Sequence, residues 1–365
     1  MRHAYDVATV RAAEQVLLDR LPEGALMQRA ATGMATVCAE LLGRVYGAHV
    51  TLLVGSGNNG GDALFAGARL ARRGARVDAV LVGSNAHDTG LEALRRAGGR
   101  VVDTVHEGTD LVVDGILGIG GSGGLRDRAA AVVDGLPAGA WVVAVDVPSG
   151  VDASTGEVEG PAVRADVTVT FGALKPGLLV DPGAGHAGVV ELVDIGLEMP
   201  TGQVEVLQAD DVARLLPRPD RESDKYRRGV VGVAAGSDQY TGAAVLCAGG
   251  AVRGGAGMVR YLGAEAPAGL VRQHWPEVVV GEGRVQAWAV GSGGGGDAAA
   301  RLKRAAEDGV PVVVDADALA ELDQLDQLGD DRPPMLLTPH AGELARLVGA
   351  DRDDVEARRL HHART

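Results

Sequence analysis

Cysteine, aromatic side chains and basic charge are all scarce in this chain, and each scarcity removes a class of function. The two cysteines, Cys38 and Cys247, lie far apart and form no Cys-x-x-Cys pair. No disulfide framework or zinc site is therefore expected, and both read as packed thiols. Aromatic residues are 3% of the chain against 46% hydrophobic residues, so any core must be built from Ala, Val and Leu. Lys and Arg number 35 against 49 acidic residues, a net charge of −14, with no basic stripe to offset it. Nucleic acid is not expected as a partner. No apolar run reaches the roughly 18 residues of a membrane span. The start, Met1-Arg2-His3-Ala4-Tyr5-Asp6, lacks the apolar stretch of a signal peptide. The expectation is a soluble cytoplasmic protein with no membrane partner.

Glycine is what the chain has in excess, 55 of 365 residues, about twice the ordinary share. Without collagen-like periodicity this predicts many tight loops and close backbone approaches. The length predicts two or three domains. Two early helices, 9–21 and 25–42, are followed by alternating strands and helices: strand 49–54, helix 63–73, strand 76–82, helix 90–97, strand 109–114, helix 127–135 and strand 140–146. Further strands are expected at 167–171 and 188–193. Strands that are nearly continuous apolar runs predict a parallel sheet with helices on both faces. Residues 200–228, with Pro200, Pro217, Pro219 and a charged run, read as a break. A second alternation then runs from strand 229–235 through helix 242–253, strands 257–262 and 285–290, helix 297–308, strands 310–315 and 335–337 and helix 341–348. One charged helix is expected over 351–365. The domain bounds read as 1–213, a linker 214–228, and 229–365.

The richest motif is Val54-Gly55-Ser56-Gly57-Asn58-Asn59-Gly60-Gly61-Asp62, a strand running into a glycine loop that opens a helix. Glycines let backbone N–H groups approach an anion without a Cβ in the way. Gly55, Gly57 and Gly60 fit the G-x-G-x-x-G spacing, although Asn-Gly is also an ordinary turn dipeptide. Three more motifs follow expected strands, where open α/β sheets bind ligands. Asp114 to Arg126 is a carboxylate followed by a glycine loop, either a second phosphate cradle or a surface loop. Asp146-Val147-Pro148-Ser149-Gly150 brings Asp146 and Ser149 to the mouth of the sheet, or is simply a turn. Thr168 to Gly177 carries Lys175, either a cation near phosphate or a solvated lysine.

With Leu26 to Ala31, these motifs make residues 1–200 closely similar to the NAD(P)H-hydrate epimerase family. The resemblance implies a Rossmann-like three-layer α/β/α domain that interconverts the R and S forms of hydrated NADH and NADPH, with a potassium ion. Carried over by motif, Asn58, Asn59, Gly60, Gly61, Asp62, Gly118, Ile119, Gly120, Gly121, Ser122, Gly123, Gly124 and Asp146 contact the substrate. Asn59, Asp114 and Ser149 supply oxygens to potassium. Asp146 is the expected catalytic group, because inversion at C6 of the nicotinamide ring needs a positioned carboxylate to move a proton. The chain departs from the family at Gly118-Ile119-Gly120-Gly121, where the usual Gly-Thr-Gly-Leu would bring a hydroxyl, and at Ala63, where a glycine is usual.

Residues 222–350 resemble the ADP-dependent NAD(P)H-hydrate dehydratase family, of ribokinase-like α/β fold, through Gly236 to Ala244, Trp275 to Val278, Val312 to Leu319 and Leu337 to Glu343. The resemblance implies ADP as cofactor and hydrate contacts at Ala243, Gly293, Gly295 and His340. The family's Gly-Pro-Gly-Leu-Gly loop is replaced by Gly291-Ser292-Gly293-Gly294-Gly295. Its later Lys-Gly and Gly-x-Gly-Asp segments are not found after His340. The expectation is an incomplete dehydratase half, inactive alone, behind an intact epimerase half. Two other readings stay open: a ribokinase-like small-molecule kinase, and a non-catalytic binding module built on the epimerase fold. A homo-oligomer acting on small-molecule NADHX or NADPHX is expected.

Overall fold

The computed structural model describes every residue except Ser122, Gln203 and Pro217, with backbone alone at Gln324 and 326–331. Two compact units emerge, one comprising Met1–Gln208 with Glu356–Thr365 and the other Ala209–Val355. Residues 209–213, read from the sequence as the end of the first domain, belong to the second unit. The last ten residues return to the first.

The first unit contains β1 (Arg2–Ala4), α1 (Val7–Leu18), α2 (Ala25–Leu42), β2 (His49–Val54), α3 (Asn58–Arg72), β3 (Arg76–Leu81), α4 (Asp88–Arg96), β4 (Arg100–Val102), β5 (Leu111–Gly115), α5 (Asp127–Asp134), β6 (Trp141–Val145), β7 (Val167–Phe171), α6 (Ala184–Ala187), β8 (Val189–Val193) and β9 (Val204–Val206). Seven strands form one sheet in the order β4-β3-β2-β5-β6-β7-β8, parallel throughout. All six residues of β2 are buried, because successive side chains point to opposite faces and both faces are covered. Val50, Leu52 and Val54 pack with Met34 of α2 and Leu64 of α3, whereas Leu53 joins Val80, Val112 and Ala129 of α5. That double coverage is why the strand reads as an unbroken apolar run. The chain leaves β2 toward β3 on one side and β5 on the other, so the strand order reverses between β2 and β5. A crevice opens at the carboxyl ends of strands at such a reversal.

The second unit holds α7 (Ala209–Leu215), β10 (Val230–Ala234), α8 (Thr241–Arg253), β11 (Met258–Tyr261), α9 (Glu265–His274), β12 (Val279–Val280), β13 (Ala287–Val290), α10 (Ala298–Glu307), β14 (Val312–Val314), β15 (Met335–Leu337) and α11 (Ala341–Val348). Its strands form a parallel sheet in the order β12-β11-β10-β13-β14-β15. Both units are therefore α/β. Among the described residues, no helix is long and apolar enough to cross a membrane.

Several sequence expectations need correction. Helix α3 starts at Asn58 rather than 63, so the glycine motif is the helix's first turn. The glycines are tolerated there because Gly60 lies against the Gly55 carbonyl, 2.3 Å from where a Cβ would sit, and Gly61 against His87 and Met27. The break read at 200–228 contains β9, which pairs antiparallel with β1, and α7. Helix α9 escaped notice because Pro267 and Gly269 read as breakers, although Pro is acceptable in a first turn. The stretch 351–365 is two short helices, Arg352–Ala357 and Arg359–His362.

Candidate active site

The carboxyl ends of β2 and β5 meet more closely than any side chain would permit. A Cβ on Gly55 would lie 1.8 Å from the Ile116 carbonyl oxygen, and the Gly55 N–H donates to Gly115 at 3.0 Å. Beyond this junction lies a cleft of about 860 Å³. Gly55 to Asn59 form one part of its wall, Gly118 to Gly121 another, and Arg11 and Glu14 of α1 a third. Gly124 also lines it, while Ser122 lies outside the described residues. Gly57 is open, with nothing within 4 Å of a built Cβ.

Asn59 and Ser149, read from separate motifs, converge on the backbone of Leu117, and Asp114 holds Ser149 from behind. The Asn59 amide donates to the carbonyls of Leu117 at 2.9 Å and Val145 at 2.6 Å. The Leu117 N–H donates to Ser149 Oγ at 2.8 Å. Asp114, fully buried, accepts from Ser149 Oγ at 2.6 Å and Ser149 N–H at 2.8 Å, and from Ile116 N–H at 3.2 Å. Burial pushes its carboxyl up to about 6 against the opposing pull of those Ser149 and Ile116 bonds. All three donors are neutral, so none of them offsets the charge of the ionised form. Among the described residues, no three His, Cys, Asp or Glu side chains group as metal ligands. One carboxylate with a hydroxyl and an amide is a hard oxygen set, of the type that suits an alkali or alkaline-earth ion.

A second cluster stands behind the first. Asp146 follows β6 with a left-handed backbone, φ 67°, a conformation that non-glycine residues seldom adopt. Its carboxylate pairs with Lys175 Nζ and accepts from Thr170 Oγ1 at 3.0 Å and the Phe171 N–H at 3.4 Å. Lys175 is 1% exposed and also donates to Thr170 Oγ1 at 2.9 Å. The solvated-lysine reading of Lys175 is therefore overturned. Lys–carboxylate pairs as deep as this one are seldom kept for stability alone. Asp62, the fifth residue of α3, is buried, and its Oδ1 has no hydrogen-bond partner. Its carboxyl is raised well above the usual range, first by burial and then by Asp146 and Glu14. Glu14 is raised as well, by burial and then by Asp146, with Lys175 and Arg11 opposing. Arg11 and Glu14 were missed in the sequence because α1 reads only as amphipathic, with nothing to mark which polar positions face a cleft.

In the second unit, Gly291 fits only because a Cβ would lie 1.8 Å from the Asp315 carbonyl oxygen. Asp315 accepts from Ser292 Oγ at 2.7 Å and Thr338 Oγ1 at 3.0 Å, and Asp317 from the Gly295 N–H at 2.9 Å. Gly293 lies against Ala243, 2.8 Å from a built Cβ, so these two expected residues are brought together. His340 caps α11. Its Nδ1 accepts from Gly342 and Glu343 N–H groups at 3.1 and 3.3 Å, while Glu343 accepts from the His340 N–H at 2.9 Å, a reciprocal cap of α11.

Comparison with known proteins bears on both units. The family model described as YjeF-related protein N-terminus matches residues 23–177, and that described as NAD(P)H-hydrate dehydratase matches residues 231–365. The bifunctional NAD(P)H-hydrate repair enzyme of Mycobacterium tuberculosis is 51% identical over 97% of this chain and 76% of its own length. The NAD(P)H-hydrate epimerase of Microbacterium testaceum is 45% identical, covering 62% of this chain and 91% of its own. A crystal structure of ADP/ATP-dependent NAD(P)H-hydrate dehydratase from Bacillus subtilis, co-crystallised with ATP and Mg²⁺, is 30% identical with a TM-score of 0.37, covering 42% of this chain and 59% of its own.

Proposed function

Because this chain belongs to the bifunctional NAD(P)H-hydrate repair enzymes, we propose that its first unit binds hydrated NADH or NADPH in the cleft between the ends of β2 and β5 and inverts C6 of the nicotinamide ring there. It is an enzyme of metabolite repair, with an epimerase and a dehydratase part. The observation that carries the site assignment is the meeting of Asn59 and Ser149 on Leu117, with Asp114 bonded to Ser149. Gly57 to Gly60 present backbone N–H groups at the start of α3, where partial positive charge favours the substrate's phosphates. Gly118 to Gly121 and Gly124 close the opposite wall. Asp146 moves the proton that inversion requires.

Asn59, Asp114 and Ser149 are the residues that would hold potassium. The ion would supply fixed positive charge beside the cleft and keep Asp114 ionised. The chain's own part is to hold the Leu117 turn rigid through those same three side chains.

For the second unit, Ala243, Gly293 and Gly295 would contact the hydrate, with ADP as the nucleotide. His340, which caps α11 through Nδ1, would reach the hydrate with its exposed remaining ring edge. We place the reaction in the cytoplasm, on a small-molecule substrate, in a homo-oligomer without nucleic acid or membrane.

The test is chromatographic. R-NADHX is incubated with the protein, with and without potassium, and S-NADHX is followed above the spontaneous rate. Potassium-dependent acceleration is expected. Binding of NADHX with no acceleration would favour the binding-module reading instead.

A further inference from the structure

The cluster around Lys175 contains more acid than its single cation can balance. Asp146 has the ion pair, a hydroxyl donor and a backbone N–H. Asp62 has none of these at Oδ1, although it is buried to a similar depth. A carboxylate without donors in such a place is costly, and holding a proton removes the cost. Two neighbouring carboxyl groups in such unlike surroundings divide the roles of acid and base between them.

We propose that Asp62 and Asp146 form the acid–base pair of the epimerisation, Asp62 as the protonated donor and Asp146 as the carboxylate acceptor, with Lys175 the positioning residue that fixes which of the two holds the proton. This inference rests on the epimerase reading. Asp62 gives its proton to the C6 hydroxyl, the C6–O bond breaks, water leaves, and the ring-nitrogen lone pair forms the N1=C6 iminium. Water then adds to the opposite face of C6, and its proton passes to Asp146. The reaction is proton-neutral overall, and the proton gained by Asp146 returns to Asp62 through cleft water. No oxidant or further co-reactant is needed.

Two acids act on Asp62, Asp146 beyond the end of β6 and Glu14 on α1. Lys175 and Arg11 act in turn on Glu14, and His87 at the start of α4 packs over the neighbouring Gly61. Glu14 helps to raise Asp62, so removing its charge should release the Asp62 proton at lower pH.

The experiment measures R-to-S conversion by the full chain across pH, for the parent and four variants. D62N should lower kcat about 10² to 10⁴-fold while KM changes by less than about threefold. E14Q should move the alkaline limb of the kcat profile to lower pH, a change that a purely structural role would not produce. K175M should lower kcat, and K175R should recover part of it. A folded D62N with parental kcat, an E14Q profile with an unmoved alkaline limb, or K175R no better than K175M would each overturn the pair. The E14Q profile decides the matter even if D62N does not fold. A parent chain without epimerase activity would overturn the epimerase reading, and this inference with it.

Discussion

Gly55 and Gly57 are equivalent in a sequence fingerprint and opposite in the structure, and that contrast can be measured. In Gly55→Ala the new methyl would lie 1.8 Å from the Ile116 carbonyl oxygen and 2.7 Å from its carbon. Both are backbone atoms, so no rotamer change relieves the clash and the ends of β2 and β5 must part. Overpacking of this kind costs about 1–3 kcal/mol. Losing the hydrogen bond from Gly55 N–H to Gly115 adds about 1 kcal/mol. A total of about 2–4 kcal/mol corresponds to a Tm lowered by roughly 4–16 °C for a unit of this size. In Gly57→Ala nothing lies within 4 Å of the methyl and φ is −98°, which any residue adopts. Stability should stay within about 0.5 kcal/mol of the parent. The same methyl would stand in the cleft wall, so KM for NADHX should rise. Denaturant titration and epimerase kinetics on the two variants give both numbers. Equal stabilities for the two, or a Gly57→Ala variant with parental KM, would refute the reasoning.

Three further outcomes follow from the same coordinates. The Asp114 carboxyl is pushed up to about 6 in the fold from about 3.9 in the unfolded chain, so its contribution is present below pH ~4 and lost as pH rises through 6. The loss is about 3 kcal/mol; unfolding free energies at both ends of that window in potassium-free buffer should show it, and potassium should reduce it. Asn59→Ala leaves the Leu117 and Val145 carbonyls without their donor, at about 1–3 kcal/mol, and should abolish potassium activation; an unaltered potassium response would contradict the assignment. Cys38 is fully buried, with its thiol raised to about 12 by desolvation. Thiol titration should therefore label half-buried Cys247 first and Cys38 only on unfolding.

Legibility in the sequence tracked the physical origin of each feature. Strand β7 and helix α11 were read with the bounds they have, because a buried run between breakers and a 3.6-residue period are local signals. The first turn of α3 was read as a loop because Gly60 and Gly61 are poor helix formers. What makes them helical is close contact with Gly55, His87 and Met27, which no local pattern encodes. Asp62, Asp114 and Asp146 were legible as motif members at strand ends. The depth of Lys175 and the approach of Glu14 were not, since Lys175 depends on Asp146, 29 residues away, and Glu14 on the same Asp146 from the other end of the unit. His340 was legible as a motif residue, yet its reciprocal cap with Glu343 lay in plain sequence spacing and gave it another occupation.

The left-handed backbone at Asp146 also limits which replacements an evolving lineage can sample there. Asparagine and glycine tolerate that conformation, whereas a β-branched or bulky residue adds strain of order 1–3 kcal/mol before any chemistry is considered. The site therefore has two exits from its charge that cost the backbone little, toward amide or toward no side chain, and either would leave Lys175 buried without its counter-ion, itself strongly destabilising. A descendant that gave up the reaction would be expected to change the lysine soon after, so the pair should be inherited, or lost, together.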